Sequence, residues 1–433
     1  MNSEERHECY TDDWKRTEPD LVLYLPPKPA GPDGDNEHII INFMPKSGDM
    51  LATWTTGTYE SAPNSRTVFS RSADGGVTWS EPKVMLGTDD DQVLCGRWGF
   101  HIVSRAGRVY FFSNRYTGIS DFSFSANGVM RCVYSDDDGH TWQPGCDIPV
   151  RWREKYDHPD RSVPRSWIVW QPAIRDPKGR WITGFTRWSS LQKFAYPKEG
   201  HHPDSRSELM RFDNIDEGPD PKDLKITWLP EGDSISVPCP VEPEKSRGYS
   251  LGEEPSIVVL PDGRLFLIMR TRTGHIWYTV SEDEGASWRA TDILRRRDGG
   301  PEMLHPKSPC PIYRLEDGRY VLFFHNHDGT GYGAAGPHDM NARRPIFMSV
   351  GEFRPGAEQP LWFSEPKLLF DTHGVAVGPG GGGVIGGRIW LAMYGSFTER
   401  DGRRIVWYPD RKHFLLGKLI TDELLADMTV PQA

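Results

Sequence analysis

Ser72-Ala73-Asp74-Gly75-Gly76-Val77-Thr78-Trp79 is one of three matching octapeptides in this chain. The others are Ser135-Asp136-Asp137-Asp138-Gly139-His140-Thr141-Trp142 and Ser281-Glu282-Asp283-Glu284-Gly285-Ala286-Ser287-Trp288, so all three read S-x-D-x-G-x-[TS]-W. That pattern describes a tight hairpin turn. The Ser and Asp side chains bond to nearby backbone, Gly permits a positive φ, and the Trp packs beneath the turn. Three copies make a repeat, and a repeat constrains the fold before any other feature does.

A second repeat runs beside the first. Six Gly-containing turns, centred on Gly48, Gly107, Gly179, Gly263, Gly318 and Gly386-Gly387, are each flanked by apolar, β-prone runs. The octapeptides begin 24, 28 and 18 residues after Gly48, Gly107 and Gly263. Weaker counterparts follow Gly179 (Phe212 to Trp228) and Gly318 (Met348 to Trp362), and Ser80-Glu81-Pro82-Lys83 recurs as Ser364-Glu365-Pro366-Lys367. Two hairpins per unit, six times over, predict an all-β fold: a six-bladed β-propeller of four-stranded antiparallel blades. The expected organisation is one domain over residues 1–433. It has a polar extension at 1–20, insertions around the third blade at 188–238, and a strand near Leu21 to Leu25 closing the ring with the last unit.

Composition narrows the partners. The chain carries 16 Trp and a net charge of −10, which suits aromatic-rich strands and disfavours a nucleic-acid surface. Neither a leader-like apolar segment nor a membrane-length apolar run occurs, so a cytoplasmic protein that engages no membrane is expected. Its six cysteines are scattered without a CxxC pair and read as free thiols. The run Gly378 to Gly383 lacks the Lys-Ser/Thr of a phosphate loop, and no cofactor is expected. His325-Asn326-His327 could place two rings on one side of a strand, but no carboxylate or Cys stands at ligand spacing, and no metal is expected either.

In a propeller the innermost strands line the axis and loops at one end form a pocket. Overlaying the units sets the inner-strand starts at His38, His101, Trp170-Gln171, Glu253-Glu254, His305 and His373. Seven residues after each turn glycine come Thr55, Asn114, Thr186, Arg270, His325 and Tyr394. Polar groups interrupting apolar strands need partners or a ligand, so His38, His101, Gln171, His305, His325 and His373 are candidate substrate contacts. His101 or His305 is also a candidate general base. Arg411 is a more distant candidate for the pocket.

The octapeptides resemble the Asp boxes of sialidases and related propellers. Glu254-Pro255-Ser256-Ile257-Val258-Val259-Leu260-Pro261-Asp262-Gly263-Arg264-Leu265, continuing to Met269-Arg270, is similar to the fourth blade of that family. The resemblance implies that Glu254 activates the nucleophile and that Arg270, with Arg343 or Arg344, grips a substrate carboxylate. It implies a nucleophilic tyrosine in the last blade, where Tyr394 stands. A neutral Tyr suits an anomeric carbon that bears a carboxylate, since a carboxylate nucleophile would be repelled there. The first blade departs from the family: His38-Ile39-Ile40-Ile41 stands where an Arg-Ile-Pro phrase is usual. The usual acid Asp has no clear counterpart, and Glu60 is the nearest substitute. The expected function is a sialidase-like glycoside hydrolase acting on a small glycan or glycoside. The alternatives are a uronate lyase with a His or Tyr base and a glycan-binding propeller without catalysis.

Overall fold

Leu265–Arg270 and Tyr320–Phe324 are buried at every position. Continuous burial of that kind marks strands covered on both faces, where an alternating pattern would mark one wet face. The computed structural model, which describes residues 12–87, 95–121, 123, 125–194, 204–232, 236–240, 251–379 and 385–432, explains why. Six small antiparallel sheets stand in a ring as the blades of a β-propeller, and each central strand is sandwiched between neighbouring blades.

Blade 1 comprises Asp35–Phe43, Met50–Gly57, Arg66–Ser72 and Lys83–Leu86; blade 2 comprises Cys95–Val103, Val109–Arg115, Val129–Ser135 and Gln143–Ile148. In blade 3 the innermost strand is split into Ser166–Ile168 and Ile174–Arg175, both paired with Trp181–Trp188, with Ser205–Phe212 and Ile226–Leu229 outside. Blade 4 is Glu253–Val259, Leu265–Arg270, Trp277–Ser281 and Asp292–Ile293. Blade 5 is Ile312–Arg314, Tyr320–Phe324, Ile346–Phe353 and Leu361–Phe363, with Lys367–Phe370 also on its third strand. Blade 6 is Ser396–Arg400, Arg403–Asp410 and Phe414–Leu419, completed by Leu21–Tyr24 from the other end of the chain. The ring is therefore closed by hydrogen bonds between its two ends.

Two sequence expectations need correcting. Within 188–238, Ser205–Phe212 and Ile226–Leu229 are regular outer strands of blade 3 and not insertion. Gly386-Gly387 is not a turn: it lies within the strand Ile385–Arg388, which pairs with Val377–Pro379 as a separate two-stranded arm, and the inner hairpin of blade 6 turns instead at Asp401-Gly402. A glycine pair is compatible with a strand as well as with a turn, and nothing local distinguishes the two. Most of the glycine run beginning at Gly378 lies outside the described residues, as does Cys9. Cys132, Cys146, Cys239 and Cys310 are free thiols.

The apolar core is distributed as layers between blades. One cluster joins blades 5 and 6 through Val321, Met348, Val406 and Tyr408; others join blades 4 and 5, 2 and 3, 6 and 1, and 3 and 4. The octapeptide turns act as rivets between these layers. In the first, Ser72 Oγ donates to Asp74 Oδ1 and accepts from Gly76 N, both at 2.8 Å, and Thr78 N donates to Asp74 Oδ1 at 2.9 Å. The second and third repeat these bonds through Ser135 and Asp137 and through Ser281 and Asp283.

Each rivet glycine faces the preceding blade. A Cβ on Gly76 (φ +88°) would lie 2.6 Å from the Trp407 ring of blade 6, and one on Gly139 3.0 Å from Leu51 of blade 1. Trp407 cannot yield: it is fully buried, and its Nε1 donates to Thr398 Oγ1. Gly76→Ala is accordingly expected to cost roughly 2–4 kcal/mol, combining a left-handed φ with a rigid clash. Denaturant unfolding measures it.

Candidate active site

At one end of the ring, inner strands of three blades carry the same device. His38 in blade 1, Trp98 in blade 2 and Glu254 in blade 4 have φ values of +57°, +48° and +50°. Each sits where the inner ladder slips register, between Glu37 and Ile40, Arg97 and Phe100, and Glu253 and Ser256. A bulge of this kind bends the strand and turns a side chain that would have faced a neighbouring blade. Two of the bulges are held from the preceding blade. Trp98 N donates to Thr55 Oγ1 at 2.8 Å, and Glu254 N donates to Thr186 Oγ1 at 2.7 Å. Asn114 makes the corresponding stitch to blade 3 through Trp167 O at 3.0 Å. Half of the polar positions found seven residues after a turn glycine are thus interblade fasteners.

The three bulged residues line a cavity of about 390 Å³ together with Glu60, Arg270, Lys307, Arg343 and Tyr394. Tyr394 Oη donates to Glu254 Oε1 at 3.0 Å and accepts from Arg270 Nη1 at 3.0 Å. Arg270 also bonds Glu254 Oε1 directly and pairs with Glu253 at 3.1 Å. Glu254 Oε2 is buried with no partner, a free acceptor beside the phenol. Burial and the Glu254 charge push the Tyr394 phenol up to about 12, although Arg270, Arg343 and Lys412 pull it down. Tyr394 is therefore protonated at neutral pH and needs a base to become a nucleophile.

Tyr394 is not on a second strand, as the glycine spacing predicts. It precedes the inner strand Ser396–Arg400, where its carbonyl accepts from Ile39 N of blade 1 at 3.1 Å. Arg343 follows the short turn Met340–Ala342 and is almost wholly buried. Its Nε donates to Lys307 O at 3.0 Å, and among the described residues its terminal nitrogens have no protein hydrogen-bond partner. The His38 ring lies 4.5 Å from that of Tyr394, and neither of its nitrogens is bonded. Burial holds its pKa well below the usual histidine value, so the imidazole is neutral.

Other sequence candidates lie elsewhere. His101 is buried against Thr53 Oγ1 at 3.2 Å and does not line the cavity. Its equivalent in the ring is Trp98, three residues earlier. His305 and His325 stack at 5.1 Å and are satisfied by Ser308 and the Pro345 carbonyl, so they are core histidines. Burial pushes His101 and His305 down to about 3, and with no face on the cavity neither fits a general base. Gln171 lines a second cavity on the ring axis, with Asn42 and Tyr313. Arg344 is committed to Asp371 at 2.6 and 2.9 Å. The His373 side chain is 71% exposed. Arg411 pairs with Asp410 at 2.8 Å.

Glu60 does line the cavity, but its Oε1 accepts from Lys412 Nζ at 2.7 Å and Arg388 lies 3.7 Å from Oε2. Burial would raise its pKa, yet Lys412 and Arg388 outweigh that and hold it at about 2. A carboxylate so strongly ionised does not donate a proton at neutral pH, and the expectation of Glu60 as an acid is withdrawn. Lys412, which the sequence did not single out, lies with its Nζ 4.8 Å from the centre of the Tyr394 ring. Among the described residues no group of three or more His, Cys, Asp or Glu could hold a metal ion, and no helix is long and apolar enough to cross a membrane.

With fold and site in view, the kinship is clear. The chain belongs to the BNR repeat-like domain family, whose model matches residues 48–375. Among solved structures it is similar to a protein of unknown function from Dyadobacter fermentans (TM-score 0.59, 14% identity, covering 93% of this chain and 98% of that one). It is similar to the NanB sialidase of Streptococcus pneumoniae (TM-score 0.59, 12% identity, 95% and 71% covered). It is also similar to an α-L-arabinanase of Penicillium chrysogenum (TM-score 0.54, 15% identity, 95% and 99% covered). At these identities the likeness is one of fold. No curated protein matches the chain.

Proposed function

We propose that this protein is an exo-acting glycoside hydrolase of the sialidase-like kind, in which Tyr394 attacks the anomeric carbon of a terminal sugar. Glu254 Oε1 takes the phenolic proton, and Arg270 fixes both groups. Arg343 supplies uncommitted guanidinium nitrogens for an anionic substituent, a task for which its planar fork is suited. The observation that carries this reading is the 3.0 Å bond from Tyr394 Oη to Glu254 Oε1 inside a lined cavity. Similar folds serve both a sialidase and an arabinanase, so the sugar must be found by trial.

A second reading, a uronate lyase, draws on His38. A neutral imidazole with unbonded nitrogens beside Tyr394 could take the proton next to a sugar carboxylate. One experiment separates the readings. The protein is incubated with α-sialosides, α-L-arabinosides and uronate oligosaccharides, and products are followed by chromatography and near-ultraviolet absorbance. A released reducing sugar without new absorbance is the expected result. An unsaturated, absorbing product would replace hydrolysis with elimination, and saturable binding without product would leave a lectin-like propeller.

A further inference from the structure

We infer that Lys412 is a positioning residue for Tyr394, an ammonium held against the phenol ring so that negative charge developing on the phenol oxygen is stabilised. The inference rests on the proposed role of Tyr394. Lys412 is buried at the tip between Arg403–Asp410 and Phe414–Leu419, where Arg411 and Lys412 both take left-handed backbone conformations (φ +56° and +51°). That tip is stitched to blade 1. Asn36 N donates to Lys412 O at 2.8 Å, Asn36 Nδ2 donates to His413 O at 2.9 Å, and the His413 ring bonds Gly34 O at 2.6 Å.

The side chain is equally fixed. Lys412 Nζ donates to Glu37 Oε2 and to Glu60 Oε1, the latter at 2.7 Å, and Glu37 Oε1 accepts from Trp98 Nε1 at 2.9 Å. Arg388, bonded to Asp35, is a second cation of this cluster and lies 3.7 Å from Glu60; Arg343 also acts on Glu60, and Arg97 on Glu37. His38 lies 3.7 Å from Glu37, and Asp35 and Tyr394 also act on the ammonium. Burial works against the ammonium, but Glu37 and Glu60 outweigh it and hold Lys412 protonated beyond the ordinary lysine range. Glu37 and Glu60 satisfy two of the three ammonium donors and, with the rigid tip, fix where the charge sits. That place is against the Tyr394 ring, 4.8 Å from its centre.

The chemistry fits. A cation over an aromatic face is favourable, and more so where water is excluded. In the attack the Tyr394 Oη–carbon bond forms and the glycosidic C–O bond breaks, its electron pair leaving with the aglycone oxygen. The phenolic proton passes to Glu254. Charge thus builds on the phenol before it is consumed, and Lys412 stabilises that charge without itself giving up a proton. Ground-state substrate binding does not involve it, so its removal is read in kcat and not in KM.

The test uses Lys412→Met and Lys412→Arg, with thermal unfolding as the check on folding. The first readout needs no substrate: the rate at which an aryl sulfonyl fluoride labels Tyr394 at mildly alkaline pH, followed by peptide mass spectrometry. Lys412→Met is expected to slow labelling about 10-fold, and Lys412→Arg to keep it within about 3-fold of the parent protein. On the aryl glycoside that the parent turns over, Lys412→Met is expected to lower kcat about 10- to 30-fold with KM nearly unchanged. Should the single variant not fold, Lys412→Met/Glu37→Gln removes the cation with one of its anions and leaves Glu60 to Arg388. A folded variant that lacks the ammonium yet labels at the parent rate overturns the inference, as does Lys412→Arg behaving like Lys412→Met. Failure of the Tyr394 role itself would show differently, as turnover retained in Tyr394→Phe.

Discussion

Tyr394→Phe is expected to lower kcat by on the order of 10³-fold or more while KM stays within a few-fold. The change removes one oxygen from a fully enclosed ring. That oxygen donates to Glu254 and accepts from Arg270, both at 3.0 Å. Its loss leaves Arg270 paired with Glu253 and Glu254, so no buried charge is stranded, and the fold should lose only about 1 kcal/mol. The ring itself, packed with Trp170, Ala392 and His38, stays in place. A large kinetic effect on an intact fold is the signature of a group that acts at the reacting carbon. Initial rates over a range of substrate concentrations, together with a thermal unfolding curve, measure both halves.

Glu254→Gln is expected to cost about 10²- to 10⁴-fold at neutral pH, the usual worth of a general base, and to change the shape of the pH profile. The phenol is protonated at neutral pH because burial and the Glu254 charge raise its pKa to about 12. With Gln in place that charge is gone, so the phenol ionises below 12, yet it is still protonated near neutrality. Attack then depends on the small phenolate fraction, which grows tenfold for each pH unit below the pKa. The variant's kcat should therefore climb about tenfold per unit from roughly pH 7 to 9, while the parent, in which Glu254 takes the proton, shows no such climb. A flat profile at low activity would mean that Glu254 holds the site together without taking the proton.

Much of this architecture was legible in the chain. The three octapeptides and the glycine turns set the ring, because turn chemistry is local: Ser72, Asp74, Gly76 and Thr78 make their bonds within the turn. Glu254, Arg270, Arg343 and Tyr394, candidates in the sequence, line one cavity because blade order brings them to one end of the ring. What failed depended on register. A bulge at Trp98 displaces the true inner position of blade 2 from His101, and Gly386-Gly387, expected as a blade turn, lies inside the arm strand Ile385–Arg388. A single inserted residue changes which face a side chain takes, and sequence spacing does not record it. Polar residues in apolar strands were ambiguous for a different reason. Thr55, Asn114 and Thr186 satisfy the backbone of the next blade, a role identical in composition to that of a ligand contact.

Lys412 and the ionised state of Glu60 could not have been found from spacing. Lys412 lies 352 residues from Glu60 in the chain and meets it only when the ring closes. In the sequence only Arg411 stood out as a distant candidate for the pocket, one residue short of Lys412. The Arg343 side of the cavity is likewise a product of assembly, since Arg343 is positioned by the turn Met340–Ala342 that precedes it and by the carbonyl of Lys307.

The central claim is that Tyr394, activated by Glu254, forms a covalent bond to the sugar. Its most direct test is mass spectrometry of the protein after reaction with fluorinated glycosyl fluorides, both one carrying an anomeric carboxylate and an α-L-arabinosyl one. Such sugars slow the release of a glycosyl-enzyme more than its formation. The account predicts the mass of one sugar residue on the peptide containing Tyr394, and none in Tyr394→Phe. Continued turnover with no adduct, or an adduct on another side chain, would contradict it.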